Sequence, residues 1–318
     1  MVRTRFFAAS DVHGSNLCFR KFVNAGKFYG AEVLILGGDV TGKTMVPIVR
    51  LEGGGFKFND GGDSAQVLES EERLDAVIKE MGDRGQYPYV TDPGEFEELS
   101  EKPELVDRLF KKLMVERLES WMKLADERLT GTGKRCYISP GNDDVMEIDE
   151  ALDSGTRVIN PEGKVVEIDG QHEMITLGYT NRTPWNSSRE ADEDILLEKI
   201  GAMADRVKDM GTAIFNLHVP PIDTPIDQAP KLDKNLKPIV SGGDLVMASA
   251  GSSAVRESIE RYQPLVGIHG HIHESRGTVK IGRTMCFNPG SEYNSGILRG
   301  LLCELDGGSI RSYMLTSG

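Results

Sequence analysis

Two kinds of hydrophobic pattern alternate along the chain. Short unbroken apolar runs at 6–9, 33–36, 136–138, 174–177, 213–217 and 265–268 read as strands buried on both faces. Between them, apolar positions recur every three or four residues at 16–29, 103–130, 189–210 and 244–262, and these predict amphipathic helices. The second of these helices is the best delimited. Pro103 stands in its first turn, Gly131 follows its end, and Leu109, Leu113, Leu118, Trp121 and Ala125 form its apolar stripe. Strand–helix alternation of this kind predicts an α/β sheet layer covered by helices.

The last fifty residues have a different texture. Segments 278–281, 284–287, 296–304 and 309–315 are closely spaced strands joined by glycine-rich turns, as in an antiparallel meander. The strand-like stretches 157–159 and 164–168, joined by Asn160-Pro161-Glu162-Gly163, are expected to belong with them. Two sheets are therefore predicted within a single domain spanning 1–318. One stretch, at about 44–100, is surplus to the crossover between the second and third strands. It carries a Gly53-Gly54-Gly55 turn between strand-like flanks, a second Gly-Gly loop at 61–62, and a helical stripe of Leu68, Leu74, Val77, Ile78 and Met81. It is expected to be a cap-like excursion over one rim of the core.

At 318 residues the chain can bury a large core without disulfide or metal staples, and 39% hydrophobic residues exclude a disordered protein. A net charge of −13 argues against non-specific nucleic-acid binding and against attachment to anionic lipid, since both need a basic face. It leaves room for a phosphorylated substrate, because a bound divalent ion can outweigh local carboxylates. Cys18, Cys136, Cys286 and Cys303 show no C-x-x-C spacing and read as buried free thiols of a reducing compartment. The apolar run near the start ends at Asp11 and is too short for a signal peptide, and no run approaches a membrane helix. A cytoplasmic protein without membrane contact is expected; nothing in the pattern bears on its oligomeric state.

Chemistry enters with the histidines, of which there are six. His172 stands alone and reads as a strand residue without special role. The others fall directly after strands: His13 two residues beyond Asp11, His218, and the alternating His269, His271 and His273. Two acidic motifs also follow strands, Gly37-Gly38-Asp39 and Gly141-Asn142-Asp143. Ligands gather at the carboxyl ends of strands in open α/β sheets, so five strand ends deliver these groups to one rim. Imidazoles mixed with carboxylates and an amide oxygen suit Mn, Fe, Zn, Co or Ni. If the backbone is extended, each Asp-x-His or His-x-His pair points one way and can chelate one ion. Seven candidate ligands exceed a single zinc site and fit two divalent transition ions with one carboxylate between them.

The order Asp11-x-His13, Gly38-Asp39, Gly141-Asn142-x-Asp144 (or Asp143), His218, Gly270-His271-x-His273 resembles that of the calcineurin-like metallophosphoesterases, from residue 6 to about 291. The resemblance implies a four-layer double β-sandwich flanked by helices. It implies that Asp11, His13 and His273 hold one metal ion, that Asn142, His218 and His271 hold the other, and that Asp39 bridges. The implied activity is phosphoester hydrolysis by in-line attack of a metal-bridging hydroxide. One position departs from the family pattern: Asp143 stands where relatives usually carry a histidine that binds phosphate and protonates the leaving group. A carboxylate beside two cations is a poor proton donor. Relatives lacking that histidine resemble phosphodiesterases more than broad phosphomonoesterases, so the expected substrate is a diester, as a phosphorylated small molecule or nucleotide, with Asn142 and Asp143 at the reacting group.

Other residues are candidates to line such a site. Arg182 and Trp185, in the turn-rich loop 178–185, are placed to bind a phosphate and to stack on a base or ring. His269 and Asn288 are candidates to hydrogen-bond the ligands from behind. Two alternatives compete. The chain could keep this fold and its metals as a non-catalytic, partner-binding scaffold. Alternatively, Gly37-Gly-Asp-Val-Thr-Gly42-Lys43-Thr44 matches the P-loop pattern of a nucleotide binder, but Met45-Val46-Pro47-Ile48-Val49 reads as strand where a P-loop must open a helix.

Overall fold

The computed structural model describes residues 3–62 and 64–318. Two six-stranded sheets form the core. The first runs, in spatial order, Ser309–Ser317, Arg299–Asp306, Arg3–Ala9, Val33–Gly37, Arg135–Ser139 and Val158–Ile159. The second runs Gly277–Ile281, Thr284–Asn288, Val266–Ile268, Ile214–Leu217, Glu173–Leu177 and Val165–Glu167. Each has four parallel strands, extended in the first sheet by an antiparallel hairpin on one edge and in the second by one antiparallel strand on either edge.

Strand alternation explains the layers. Phe6, Ala8, Val33, Ile35 and Tyr137 face the second sheet and meet Met174, Ile214, Val266, Ile268 and Phe287 between the sheets. Their neighbours Phe7, Ala9, Leu34 and Leu36 face outward, onto Phe19, Phe22, Leu118 and Trp121 of the helices Asn16–Phe28 and Pro103–Leu129. On the far side, Ile175, Leu177, Phe215 and Leu217 pack on the helices Glu193–Ala204 and Ser253–Tyr262. The result is helix, sheet, sheet, helix. Because both faces of the central strands are buried, they read as unbroken apolar runs. All four cysteines are buried and unpaired. Among the described residues, no helix is long and apolar enough to cross a membrane.

The carboxy-terminal strands depart from the expected meander. Gly277–Ile281 and Thr284–Asn288 close the second sheet, whereas Arg299–Asp306 and Ser309–Ser317 cross to the first. The strands at 158–159 and 165–167 also go to different sheets. Local sequence marks each strand, but pairing is decided by long-range burial. Two helices are shorter than their periodicity suggests. Residues 190–191 form a strand, because the Glu190 carboxylate accepts from the Thr183 and Ser187 backbone amides and ties down its own loop. Residues 244–249 form two short strands beyond a Gly242-Gly243 turn at positive φ, and the following helix starts only where Ser252 caps it.

Residues 45–91 build a separate four-stranded sheet around Met45–Arg50, backed by the helix Glu71–Asp83. Val46, Ile48, Phe56, Phe58, Leu74 and Met81 form its own small core, and Leu68 lies on a strand of it and not on the helix. This unit is clamped to the main core by Arg117, whose guanidinium donates to the carbonyls of Gly14 and Gln86 and lies 3.9 Å from the Tyr87 ring centroid.

His172 sits one residue before its strand and links the two sheets. Its Nδ1 meets Asp169 and its Nε2 lies 2.9 Å from the Gly307 carbonyl in the opposite hairpin. Both partners are acceptors, so the ring is held as the cation. Burial opposes that charge, but the Asp169 carboxylate and the Gly307 carbonyl outweigh it and raise the ring's pKa. Burial likewise pushes Asp169 up, and hydrogen bonds from the His172 ring and from the His172 and Gln171 amides outweigh it, leaving the carboxyl well below the usual range. Asp169 thus contributes stability above its ordinary value near 3.8, and His172 below its ordinary value near 6.5. Asp169→Asn should cost about 1–3 kcal/mol in urea unfolding. The gap to wild type should be widest between these two pH values and narrow as pH rises through the raised His172 pKa; a gap independent of pH would contradict the charged pair.

Candidate metal centre

Five strand ends converge on one rim between the sheets. The loops after Arg3–Ala9 and Val33–Gly37 are zipped together by backbone bonds from Asp11, His13 and Gly14 to the carbonyls of Gly38, Asp39 and Val40. The loop after Val266–Ile268 is tied in by Gly270, which donates to the His218 carbonyl, and by His271, whose amide donates to both Asp11 carboxylate oxygens at 3.1 Å. The crossing is tight. A Cβ on Gly38 would run into the His218 ring, and one on Gly270 into the Asp11 carboxylate. Asp11, His13, Asp39 and His271 all adopt positive φ, between 38° and 65°. Strained backbone at four candidate ligands is the kind of cost that functional sites carry and plain scaffolding avoids.

The side chains form three overlapping donor sets: Asp11, His13 and His273; Asp39, His218 and His271; and His13, Asp39 and Asp143. Within each set the donor atoms lie within 4.8 Å of one another. Asp11 Oδ1 is 3.3 Å from His273 Nε2 and 3.9 Å from the Nε2 atoms of His13 and His218. Asp39 reaches both sides, with Oδ1 3.4 Å from His218 Nε2 and Oδ2 3.7 Å from His13 Nε2. His271 and His273 fall in different sets, contrary to the expectation for alternating residues. The backbone is not extended there, since His271 sits at φ 65°.

Two buried atoms argue that these sets fit cations. His218 donates Nδ1 to the Gly37 carbonyl, 2.9 Å away, while its Nε2 has no hydrogen-bond partner. The Asn142 amide gives its nitrogen to Ser187 Oγ and Asp143 Oδ1, which leaves Oδ1 buried and unpartnered. A buried polar atom left without a partner costs about 1–3 kcal/mol unless something else satisfies it. The two buried carboxylates, Asp11 and Asp39, also leave an excess of negative charge for a cation to balance. Burial drives the His218 ring toward neutrality, yet Asp39 and Asp11 overcome it and raise its pKa to about 10. Burial dominates at His13 and His271, pushed down to about 3 and about 4, so these rings are neutral donors. The donor chemistry suits one or more divalent ions.

The remaining candidates are arranged as follows. His269 joins no donor set. Its Nδ1 faces the carbonyls of Leu217 and Val219, on either side of His218, and its Nε2 is buried without a hydrogen-bond partner. Asn288 Nδ2 donates to the Ile272 carbonyl at 2.9 Å and thereby holds the loop that carries His271 and His273. Arg182 is exposed and paired with Asp192, and Trp185 is 65% exposed. Their loop meets the site instead through Ser187, and through Arg189, whose backbone amide donates to the Asn142 carbonyl. Asp143 and Asp144 part company. Asp144 turns inward onto backbone amides, while Asp143 lies on the rim, with its carboxylate 2.5 Å from Lys43 Nζ.

Two groups at the rim were not assigned to the metal site from sequence. Lys43 belongs to the P-loop-like motif, but a strand follows it, so no helix N-terminus is available for phosphates. Tyr293, in a short helical turn beyond the last motif, sets its ring 4.7 Å from that of His13. It also lines two clefts. One, of 730 Å³, runs past Thr44 toward Lys79 and Arg84 of the 45–91 unit, and the other, of 390 Å³, runs past His273 toward Arg276 and Arg299. No local pattern marks Tyr293 as a site residue.

A four-layer double sandwich that gathers histidines and carboxylates at its strand ends is the fold of the calcineurin-like metallophosphoesterases, and this chain has that fold. One similar solved structure covers 99% of this chain and 99% of its own, at 15% identity and a TM-score of 0.59. Another, the TT1561 protein of Thermus thermophilus, covers 100% and 99% at 12% identity and a TM-score of 0.53. An uncharacterized protein of Methanocaldococcus jannaschii is 31% identical over 152 residues, which are 47% of this chain and 61% of that relative. The chain thus spans about three fifths of the length of the curated relative it matches. No protein-family model matches the sequence.

Proposed function

We propose that this protein is a two-metal-dependent phosphoester hydrolase acting on phosphodiesters. The observation that supports this most directly is the convergence of seven donors from five strand ends, with Asn142 Oδ1 and His218 Nε2 buried and otherwise unsatisfied. Asp11, His13 and His273 would hold one ion. Asn142, His218 and His271 would hold the other, with Asp39 between them. Bound divalent ions supply positive charge that polarises a phosphoryl group and lowers the pKa of water for in-line attack on phosphorus.

The chain's own groups do the rest. His218, His269 and Asn288 fasten the ligand loops to backbone carbonyls, so the donors keep their places when a substrate arrives. Asp143 occupies the rim as the partner of the Lys43 ammonium, and a carboxylate paired in this way is a poor proton donor, which favours a diester with a good leaving group. The substrate we envisage is a phosphorylated small molecule or nucleotide in the cytoplasm, since a net charge of −13 disfavours unspecific nucleic-acid binding.

The test is hydrolysis of an aryl phosphodiester and the matching monoester by chelator-stripped protein, with Mn(II) added back. Diester turnover that returns only with metal, at least about tenfold above the monoester, is expected. Two bound metals with no turnover of either ester would instead favour a non-catalytic scaffold. Metal should also stabilise the fold. At 100 to 1,000 times its dissociation constant, Mn(II) should add about 3–4 kcal/mol, read as a rise in Tm of several degrees.

A further inference from the structure

Lys43 is the one cation whose ammonium lies within hydrogen-bond reach of the donor sets among the described residues. Its Nζ is 2.5 Å from Asp143 Oδ2, and half of its side chain remains exposed. Asp143 in turn is tied to the centre on two sides. Its backbone amide donates to Asp39 Oδ1 at 3.0 Å, and its other carboxylate oxygen accepts from Asn142 Nδ2 at 3.0 Å. Lys43 therefore hangs at the end of a chain of hydrogen bonds that begins at the candidate ligands.

The backbone that presents Lys43 is rigid. Val40 and Thr41 donate to buried Asp144, and the Gly42 amide donates to Tyr87 Oη at 3.2 Å. Gly42 itself is enclosed, since a Cβ there would run into the Gly85 carbonyl oxygen. The lysine thus projects from a pinned corner where the core meets the 45–91 unit. An ammonium has three donors, and Asp143 takes one. Asp143 shares a donor set with His13 and Asp39, so the lysine stands directly beside that set.

We infer that Lys43 is a substrate-binding residue: held in place by Asp143, its ammonium hydrogen-bonds a non-bridging oxygen of the phosphoryl group seated over the donor sets. The inference rests on the phosphoester reading of the site. It gives the Lys43–Asp143 pair the phosphate-binding part of the work for which the family resemblance supplies a histidine at 143. It also explains why Asp143 is tolerated at a rim that must receive an anion, because the adjacent ammonium cancels its charge.

The test uses full-length protein reconstituted with Mn(II), comparing wild type with Lys43→Gln and Lys43→Arg. Glutamine keeps a hydrogen bond to Asp143 without the charge, and arginine restores the charge. Metal content is measured by elemental analysis, and orthophosphate binding by calorimetry on the metal-loaded proteins. Lys43→Gln should retain its metal and bind orthophosphate at least about tenfold more weakly, and Lys43→Arg should recover most of the loss. With an aryl phosphodiester, KM should rise by a similar factor in Lys43→Gln. Orthophosphate binding unchanged in Lys43→Gln overturns the inference. So does absence of binding by metal-loaded wild type, or a loss in Lys43→Gln accompanied by loss of metal, which would make the lysine a support for the donor loops. Failure of the phosphoesterase reading shows separately, as wild-type protein that binds metal and orthophosphate but hydrolyses neither ester.

Discussion

Asp39→Ala is expected to lower phosphodiester turnover at least about 1,000-fold and to remove most of the bound metal, while leaving a folded protein. Asp39 is the only one of the candidate ligands whose two carboxylate oxygens face different histidines, His218 on one side and His13 on the other. Removing Asp11 would weaken one donor set, whereas removing Asp39 opens two of the three. The variant leaves the Asp143 amide without its acceptor, at about 1–3 kcal/mol, but it also removes one of several crowded negative charges. The fold should therefore survive in metal-free buffer. The stabilisation by Mn(II) seen for wild type should be absent, and elemental analysis should find less than one ion per chain. Turnover within tenfold of wild type would sink the two-metal mechanism.

The donors were legible in the sequence because each stands just beyond an unbroken apolar run. A strand buried on both faces must end where polar residues begin, and sheet topology sends those ends to one rim. The inner and outer faces followed from the same runs, as with Phe6 and Phe7 on opposite sides of one strand. What was not legible depends on contacts between distant segments. Nothing near residue 300 says that Arg299–Asp306 pairs with Arg3–Ala9 and not with the preceding hairpin. Parity put His271 with His273, but the left-handed backbone at His271 separates them. His269, expected to support the ligands from behind, holds the backbone on either side of His218. Lys43 was noticed only as part of a phosphate-loop pattern. The loop is wrong for that motif, and the lysine nevertheless reaches the site, because Asp143 stands opposite it across the gap between two strand ends.

Of two adjacent aspartates, sequence alone could not say which belongs to the chemistry, and the buried one carries the largest expected stability effect. Asp144 is fully buried and accepts from the amides of Val40, Thr41 and Gly141 and from the Thr41 hydroxyl. These groups lie on the two loops that carry Asp39 and Asn142, so a single carboxylate holds the loops in register. Burial and the nearby Asp39 charge push its pKa up to about 6, against the pull of those donors, which shows how much of its solvation the four bonds must replace. Asp144→Ala leaves three buried amides without an acceptor and should destabilise the protein by about 3–5 kcal/mol in urea unfolding. Asp144→Asn should recover little, because its amide nitrogen would face N–H donors with another donor. Surviving Asp144→Asn protein, examined where it is still folded, should bind metal more weakly, since Asp39 and Asn142 are no longer held at a fixed separation. A loss below about 1 kcal/mol in both variants would mean that the loops are held by their backbone bonds alone, and that Asp144 is dispensable to the site.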